Sequence, residues 1–136
     1  MKILGLGIDL LNSKRITQLY SDYGERLAQK ILSPSELVFL AKEKFLERKT
    51  NFLAKRFSAK EALFKAMGIG MGRGIRLIEV SILGDRFGRP VIVLSEAAAE
   101  FAQKLYGTSV KTMEFNVSIS DEDSLVNSVV VITCNC

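Results

Sequence analysis

Asp9, Glu61 and Lys65 are the side chains of this sequence whose types and spacing could do chemistry together, each set at the edge of an otherwise apolar segment. Asp9 sits in Ile3-Leu4-Gly5-Leu6-Gly7-Ile8-Asp9-Leu10, which reads as a strand. Its period-two alternation places Leu4, Leu6, Ile8 and Leu10 on one face and Gly5, Gly7 and Asp9 on the other. A carboxylate there either accepts backbone N–H bonds at a strand-to-helix turn or serves as a ligand. Glu61 and Lys65 stand four residues apart, which suits a surface ion pair worth about 0.3–0.5 kcal/mol and equally suits a metal-and-phosphate site. If Asp9 and Glu61 converge, their hard oxygens suit Mg²⁺, with phosphate as a further ligand.

The segment carrying Glu61 and Lys65 runs from Phe52 to Gly68 and is the stretch around which the chain is organised. Thr50 or Asn51 can cap its start, and Gly68 supplies a left-handed stop. At about 100° per residue, Phe52, Leu53, Phe57, Leu63, Phe64 and Met67 share one face. Ala54, Ala59, Ala62 and Ala66 lie mostly opposite, where another backbone could pack closely. Arg56 and Lys60 project from the large-apolar face and either snorkel to water or meet an anion. The loop Gly68-Ile69-Gly70-Met71-Gly72-Arg73-Gly74 alternates glycines around an arginine. Such a loop lets backbone N–H groups approach an anion, although a flexible turn has the same composition.

Composition narrows the chemistry. Histidine is absent from the 136 residues, which excludes Ser-His and Cys-His nucleophiles and histidine metal sites. Cys134 and Cys136 are too close for a useful staple and too few for zinc, so they read as reduced and incidental, in a cytoplasmic protein. No apolar run approaches the roughly 20 residues of a membrane span. The net charge of +4 is unevenly spread: residues 1–76 carry 15 Lys and Arg against 7 Asp and Glu, and residues 77–136 carry 4 against 8. A basic first half points to an anionic partner. A nucleic-acid-binding module would explain that charge, but it leaves Asp9 and Glu61 idle and lacks an aromatic face interleaved with the cations.

The elements that must position these residues follow in order. After the first strand, Asn12 caps a short helix with Ile16, Leu19 and Tyr20 inward, and a second helical segment runs from about Gly24 to Leu32. Ser33-Pro34-Ser35-Glu36 signs the start of a third, carrying Leu37, Leu40, Ala41 and Phe45 before fraying at Glu47-Arg48-Lys49. Beyond the central helix, Arg76–Leu83 and Val91–Leu94 read as a hairpin, Ser95 caps an alanine-rich helix ended by Gly107, and 113–120 pairs with 125–134 around Asp121-Glu122-Asp123. The expectation is one α+β domain over residues 1–136, with a largely antiparallel sheet packed against helices.

Taken together, Gly7-Ile8-Asp9, Arg15, Arg56-Phe57-Ser58-Ala59-Lys60-Glu61-Ala62 with Lys65 and Gly68, Gly88-Arg89-Pro90 and Val117-Ser118-Ile119-Ser120-Asp121 resemble the holo-[acyl-carrier-protein] synthase family of 4'-phosphopantetheinyl transferases. The resemblance spans essentially the whole chain. It implies transfer of 4'-phosphopantetheine from coenzyme A to a serine of apo acyl carrier protein, using Mg²⁺, in support of fatty acid biosynthesis. It also implies a homotrimer with active sites at subunit interfaces. By position, Asp9 and Glu61 would bind the metal and Lys65 would contact the phosphates in transfer. Arg56, Lys65, Gly68 and Gly70 would hold the coenzyme, and Arg15, Arg26 and Arg48 would receive acidic side chains of the carrier. Three positions depart from the family pattern: Ile69 replaces a common threonine, and Asn116 and Asp121 stand where histidines are frequent.

Overall fold

The computed structural model describes residues 1–136. Strand β1 (Lys2–Asn12) leads into α1 (Ser13–Tyr23), α2 (Glu25–Ile31), α3 (Pro34–Ala41) and the long α4 (Leu46–Met67). A hairpin of β2 (Val80–Gly84) and β3 (Pro90–Leu94), helix α5 (Glu96–Tyr106), and a second hairpin of β4 (Met113–Glu122) and β5 (Leu125–Cys134) complete the chain. All strand pairing is antiparallel, in a three-stranded sheet ordered β1-β5-β4 and a separate two-stranded β2-β3 sheet. This is the expected α+β arrangement, with the strands divided between two sheets.

Helix α4 is buried along both sides because it belongs to two cores. Its C-terminal half, from Ala59 to Met67, packs with Ile75, Val80, Ile82, Ala98, Val130 and Ile132. Its Leu53 and Ala54 join Ile16, Ala28, Ile31 and Leu40 from the first three helices, together with Leu11 and Val126. The small-residue side meets β1, as its alanines suggest. A Cβ built on Gly7 would fall on the Ala62 carbonyl oxygen, and one on Gly5 on that of Ala66, so only glycine permits this strand-to-helix approach.

Several boundaries differ from the sequence reading. Helix α3 stops at Ala41, and residues 46–49 open α4 instead of fraying from α3. Phe45, extended at φ −98°, is the break. Thr50 is therefore inside the helix and buried, its hydroxyl donating to the Glu47 carbonyl at 3.1 Å. Strand β2 starts at Val80 because Leu77–Glu79 form a 3₁₀ turn closed by Arg76 Nε donating to Glu79 Oε1 at 2.8 Å. In β1 the glycine-and-Asp9 face packs inward, while Leu6, Ile8 and Leu10 are 60–67% exposed. Cys134 and Cys136 are joined in a disulfide, contrary to the reading of two free thiols.

Candidate active site

Close packing of β1 on α4 brings Asp9 level with the last turns of the helix. Lys65 Nζ donates to Asp9 Oδ1 at 3.2 Å and to the Ile8 carbonyl at 3.1 Å. The Asp9 side chain is 12% exposed and that of Lys65 54%, so the pair marks a rim rather than an interior. Beside them Glu61 is half-buried, and its Oε1 is enclosed without a hydrogen-bond partner. Burial raises the Glu61 carboxyl above the usual glutamate range and the Asp9 charge raises it further, with Lys65 and Arg15 pulling the other way. Two carboxylates thus share a space in which one oxygen lacks a partner. That donor set fits a hard divalent cation, which would satisfy the orphaned oxygen and neutralise the repulsion. The i,i+4 pair of Glu61 with Lys65 does not form; Lys65 reaches across to β1 instead.

Arg56 lies five residues before Glu61, which on a helix turns it about 140° away. It faces a second site, a cleft of about 220 Å³ lined by Lys55, Arg56, Ile82, Leu83, Gly84, Gly88, Pro90 and Ile119. Its guanidinium stacks on the Phe52 ring at 3.6 Å, leaving Nε enclosed and unpartnered. Burial works against its charge, and Glu36 partly offsets this. The structure therefore unites Asp9, Glu61 and Lys65 and sets Arg56 apart from them. Gly68, left-handed at φ 69°, caps α4 directly after Met67 and three residues beyond Lys65, and Gly70 opens a turn in which Arg73 N donates to its carbonyl at 3.1 Å.

The three candidate carrier-contact arginines are all exposed but are not equivalent. Arg15 is close enough for its charge to lower the Glu61 carboxyl. Arg26 borders a groove on α1 and α2 with Leu19, Tyr23, Leu27 and Lys30. Arg48 stacks over Phe45 at 5.5 Å and borders a polar cavity of about 510 Å³ with Ser13, Thr17 and Asp121.

Lys60 is fully buried, and its ammonium is met within the same chain by Glu36 and by the Ile31 carbonyl at 2.7 Å. The partner escaped the sequence reading because Glu36 was legible only as the third residue of a capping box. It does fill that role, accepting from Ser33 N at 2.9 Å. The departures from the family pattern also find partners. Ile69 packs against the main core, Asn116 Nδ2 reaches the Val131 carbonyl at 3.5 Å, and Asp121 pairs with Lys55 at 3.4 Å. The cleft residues Lys55 and Gly84 were also missed. A basic pair, Lys55-Arg56, was their sole sequence signal.

A family model described as the 4'-phosphopantetheinyl transferase superfamily matches residues 5–120, so the chain belongs to that superfamily. Within it, the chain is a holo-[acyl-carrier-protein] synthase by its relatives. The Shewanella amazonensis enzyme of that name is 39% identical over 122 residues, covering 90% of this chain and 91% of its own. The Blochmanniella floridana enzyme is 39% identical over 132 residues, covering 97% and 99%. Among solved structures, holo-[acyl-carrier-protein] synthase from Neisseria meningitidis superposes with a TM-score of 0.84 at 33% identity, covering 96% of this chain and 98% of its own. The Helicobacter pylori synthase in complex with coenzyme A gives 0.76 at 26% identity, covering 94% and 99%.

Proposed function

We propose that this chain, one domain over residues 1–136, transfers 4'-phosphopantetheine from coenzyme A to a serine of apo acyl carrier protein in the cytoplasm, in support of fatty acid biosynthesis. The observation that carries the reading is the convergence of Asp9, Glu61 and Lys65 around an enclosed, unpartnered carboxylate oxygen. Asp9 and Glu61 hold Mg²⁺, which when bound supplies charge neutralisation at the pyrophosphate. Lys65, half-exposed beside Asp9, binds a phosphate oxygen and steadies the charge that builds as the bond to 3',5'-ADP breaks. The serine hydroxyl gives up its proton to an ordered water or a nearby carboxylate as its oxygen forms the new bond to the β-phosphorus, and the bridging oxygen leaves with the nucleotide. Gly68 and Gly70 bring backbone close to the phosphates, and Arg56 holds the nucleotide end. Arg15, Arg26 and Arg48 take acidic side chains of the carrier. No helix is long and apolar enough to cross a membrane, and the reading needs neither membrane nor nucleic acid.

The two half-sites favour assembly. Asp9, Glu61 and Lys65 lie on one side of α4 and the Arg56 cleft on another, so a coenzyme touching both is best served by two subunits. The exposed Leu6, Ile8 and Leu10 face of β1 gives those subunits an apolar surface to share, and a homotrimer is the assembly in keeping with the family resemblance. Incubation with coenzyme A, Mg²⁺ and an apo carrier protein, read by intact mass, tests the reaction. An unmodified carrier, or modification unaffected by a chelator, would sink the assignment of substrate or metal respectively. Sedimentation of Ile8→Glu tests the interface, and an unchanged mass would remove β1 from it.

A further inference from the structure

Ser58 and Ser128 are both wholly buried, and the Ser128 hydroxyl donates to Ser58 Oγ at 2.8 Å. No step of the transfer uses either residue. Their placement nevertheless sets the pair apart. Ser128 is the residue of β5 directly opposite Asp9 on β1, and side chains so opposed in an antiparallel ladder share one face of the sheet. Ser58 lies on α4, three residues before Glu61 and seven before Lys65. At about 100° per residue, it falls within about 60° of Glu61 and about 20° of Lys65, on one stripe of the helix. The hydroxyl pair thus joins the neighbour of one carboxylate to the helix face that carries the other.

We propose that Ser58 and Ser128 are positioning residues that set how α4 sits along β5, so that Glu61 meets Asp9 at the separation a divalent cation requires. The proposal rests on the reading of Asp9 and Glu61 as the Mg²⁺ ligands. The contact around the pair is made by Ala59, Ala62, Ala66, Val130 and Ile132. Apolar packing fixes how closely helix and sheet approach, but it is non-directional and resists sliding weakly. A hydrogen bond between two buried hydroxyls is directional, and any slide would leave both unpaired. Lys65 also reaches from α4 to β1, but it is half-exposed and is the group that must turn to a phosphate. Both serines are shut off from solvent, so they act through the elements that carry the carboxylates.

Melting of the full chain, without metal and over a series of Mg²⁺ concentrations, tests this. Ser58→Ala and Ser128→Ala each strand the other hydroxyl and are expected to melt below the parent. The double alanine variant should regain most of that loss, because no buried hydroxyl is left unpaired. Its response to metal should not recover. The Mg²⁺ concentration giving half of the rise in melting temperature is expected to stay about tenfold or more above the parent's, in the range for lost support behind metal ligands. Ser81→Ala is the control for general loosening: it removes a hydroxyl contact to Ser33 at 2.6 Å, where α3 meets β2, and should leave the midpoint unchanged. Glu61→Gln should abolish the rise. A double variant with the parent's midpoint overturns the positioning role and leaves the metal reading standing. A Ser81→Ala midpoint shifted as far as that of the double variant also overturns it. If Glu61→Gln keeps the parent's full rise, the metal assignment falls and the positioning role with it.

Discussion

The Lys60 ammonium and the Glu36 carboxylate form an ion pair from which both side chains are fully excluded from solvent. The same carboxylate accepts from Ser33 N and, through Oε2, from Ile82 N at 2.9 Å, and the same ammonium donates to the last carbonyl of α2. One pair therefore ties α2, α3, α4 and β2 at a single point. It also fixes the rotation of α4, on which the neighbouring Glu61 depends for facing Asp9.

Breaking that pair from one side strands a buried charge. Lys60→Met or Glu36→Gln is expected to destabilise the protein by about 3–5 kcal/mol, read from denaturant unfolding. The double variant Lys60→Met with Glu36→Leu should recover a large part of the loss. A double variant that loses the sum of the two single losses would show that the pair is not coupled.

Glu61 makes an opposite prediction. Its carboxyl titrates above the ordinary 4.5 of a glutamate, so the folded state holds the proton more tightly than the unfolded chain does. The resulting cost is absent below pH 4.5, grows as pH rises through the folded value, and is constant above it. Glu61→Gln should therefore melt higher than the parent at pH 7–8 without metal, and the two should converge near pH 4. Added Mg²⁺ should raise the parent alone. A Glu61→Gln protein that melts lower at neutral pH would contradict the geometry of the site.

Lys65 is the cation paired with Asp9 at the rim of the site. Lys65→Met should lower the transfer rate by about two orders of magnitude or more, the usual loss for a group stabilising transition-state charge. Its side chain is 54% exposed, so thermal stability should hardly change. Normal turnover in this variant would place the reacting phosphate elsewhere.

Arg26→Glu and Arg48→Glu should slow association with the carrier protein and flatten its dependence on salt, while coenzyme affinity stays close to that of the parent. Arg15→Glu should do more than this, because its charge also reaches Glu61. Stopped-flow association at two ionic strengths separates these effects. Identical behaviour of all three would mean that Arg15 acts at the docking surface alone.

Much of this organisation is legible in the residues. Strand alternation and helical spacing are local rules, so they assign faces to Asp9 and to Glu61 with Lys65 but leave their meeting open, and the family resemblance alone implied one site; the alanines of α4 announced a close neighbour that proved to be Gly5 and Gly7. The start of α4 was misplaced because Thr50 and Asn51 are good caps, whereas the structure uses the extended Phe45, whose side chain supplies no cap bond. Lys60 reads as a residue seeking water or an anion, since its partner lies 24 residues away and spacing within one helix says nothing about which. The separation of Arg56 from Glu61 was implicit in the helical angle, but the cleft it faces is built by a hairpin distant in sequence.

The register that pairs Asp9 with Ser128 and Lys2 with Cys134 has a consequence for how the enzyme is made. As the chain leaves the ribosome, β1 emerges well before the strand that must hold it. Joining them closes a loop over nearly the entire polypeptide, a slow event compared with forming the local helices. Until that closure Asp9 has no fixed position opposite Glu61, so a nascent chain can possess every helix and still be catalytically silent. Activity would then appear only once β5 has cleared the exit tunnel.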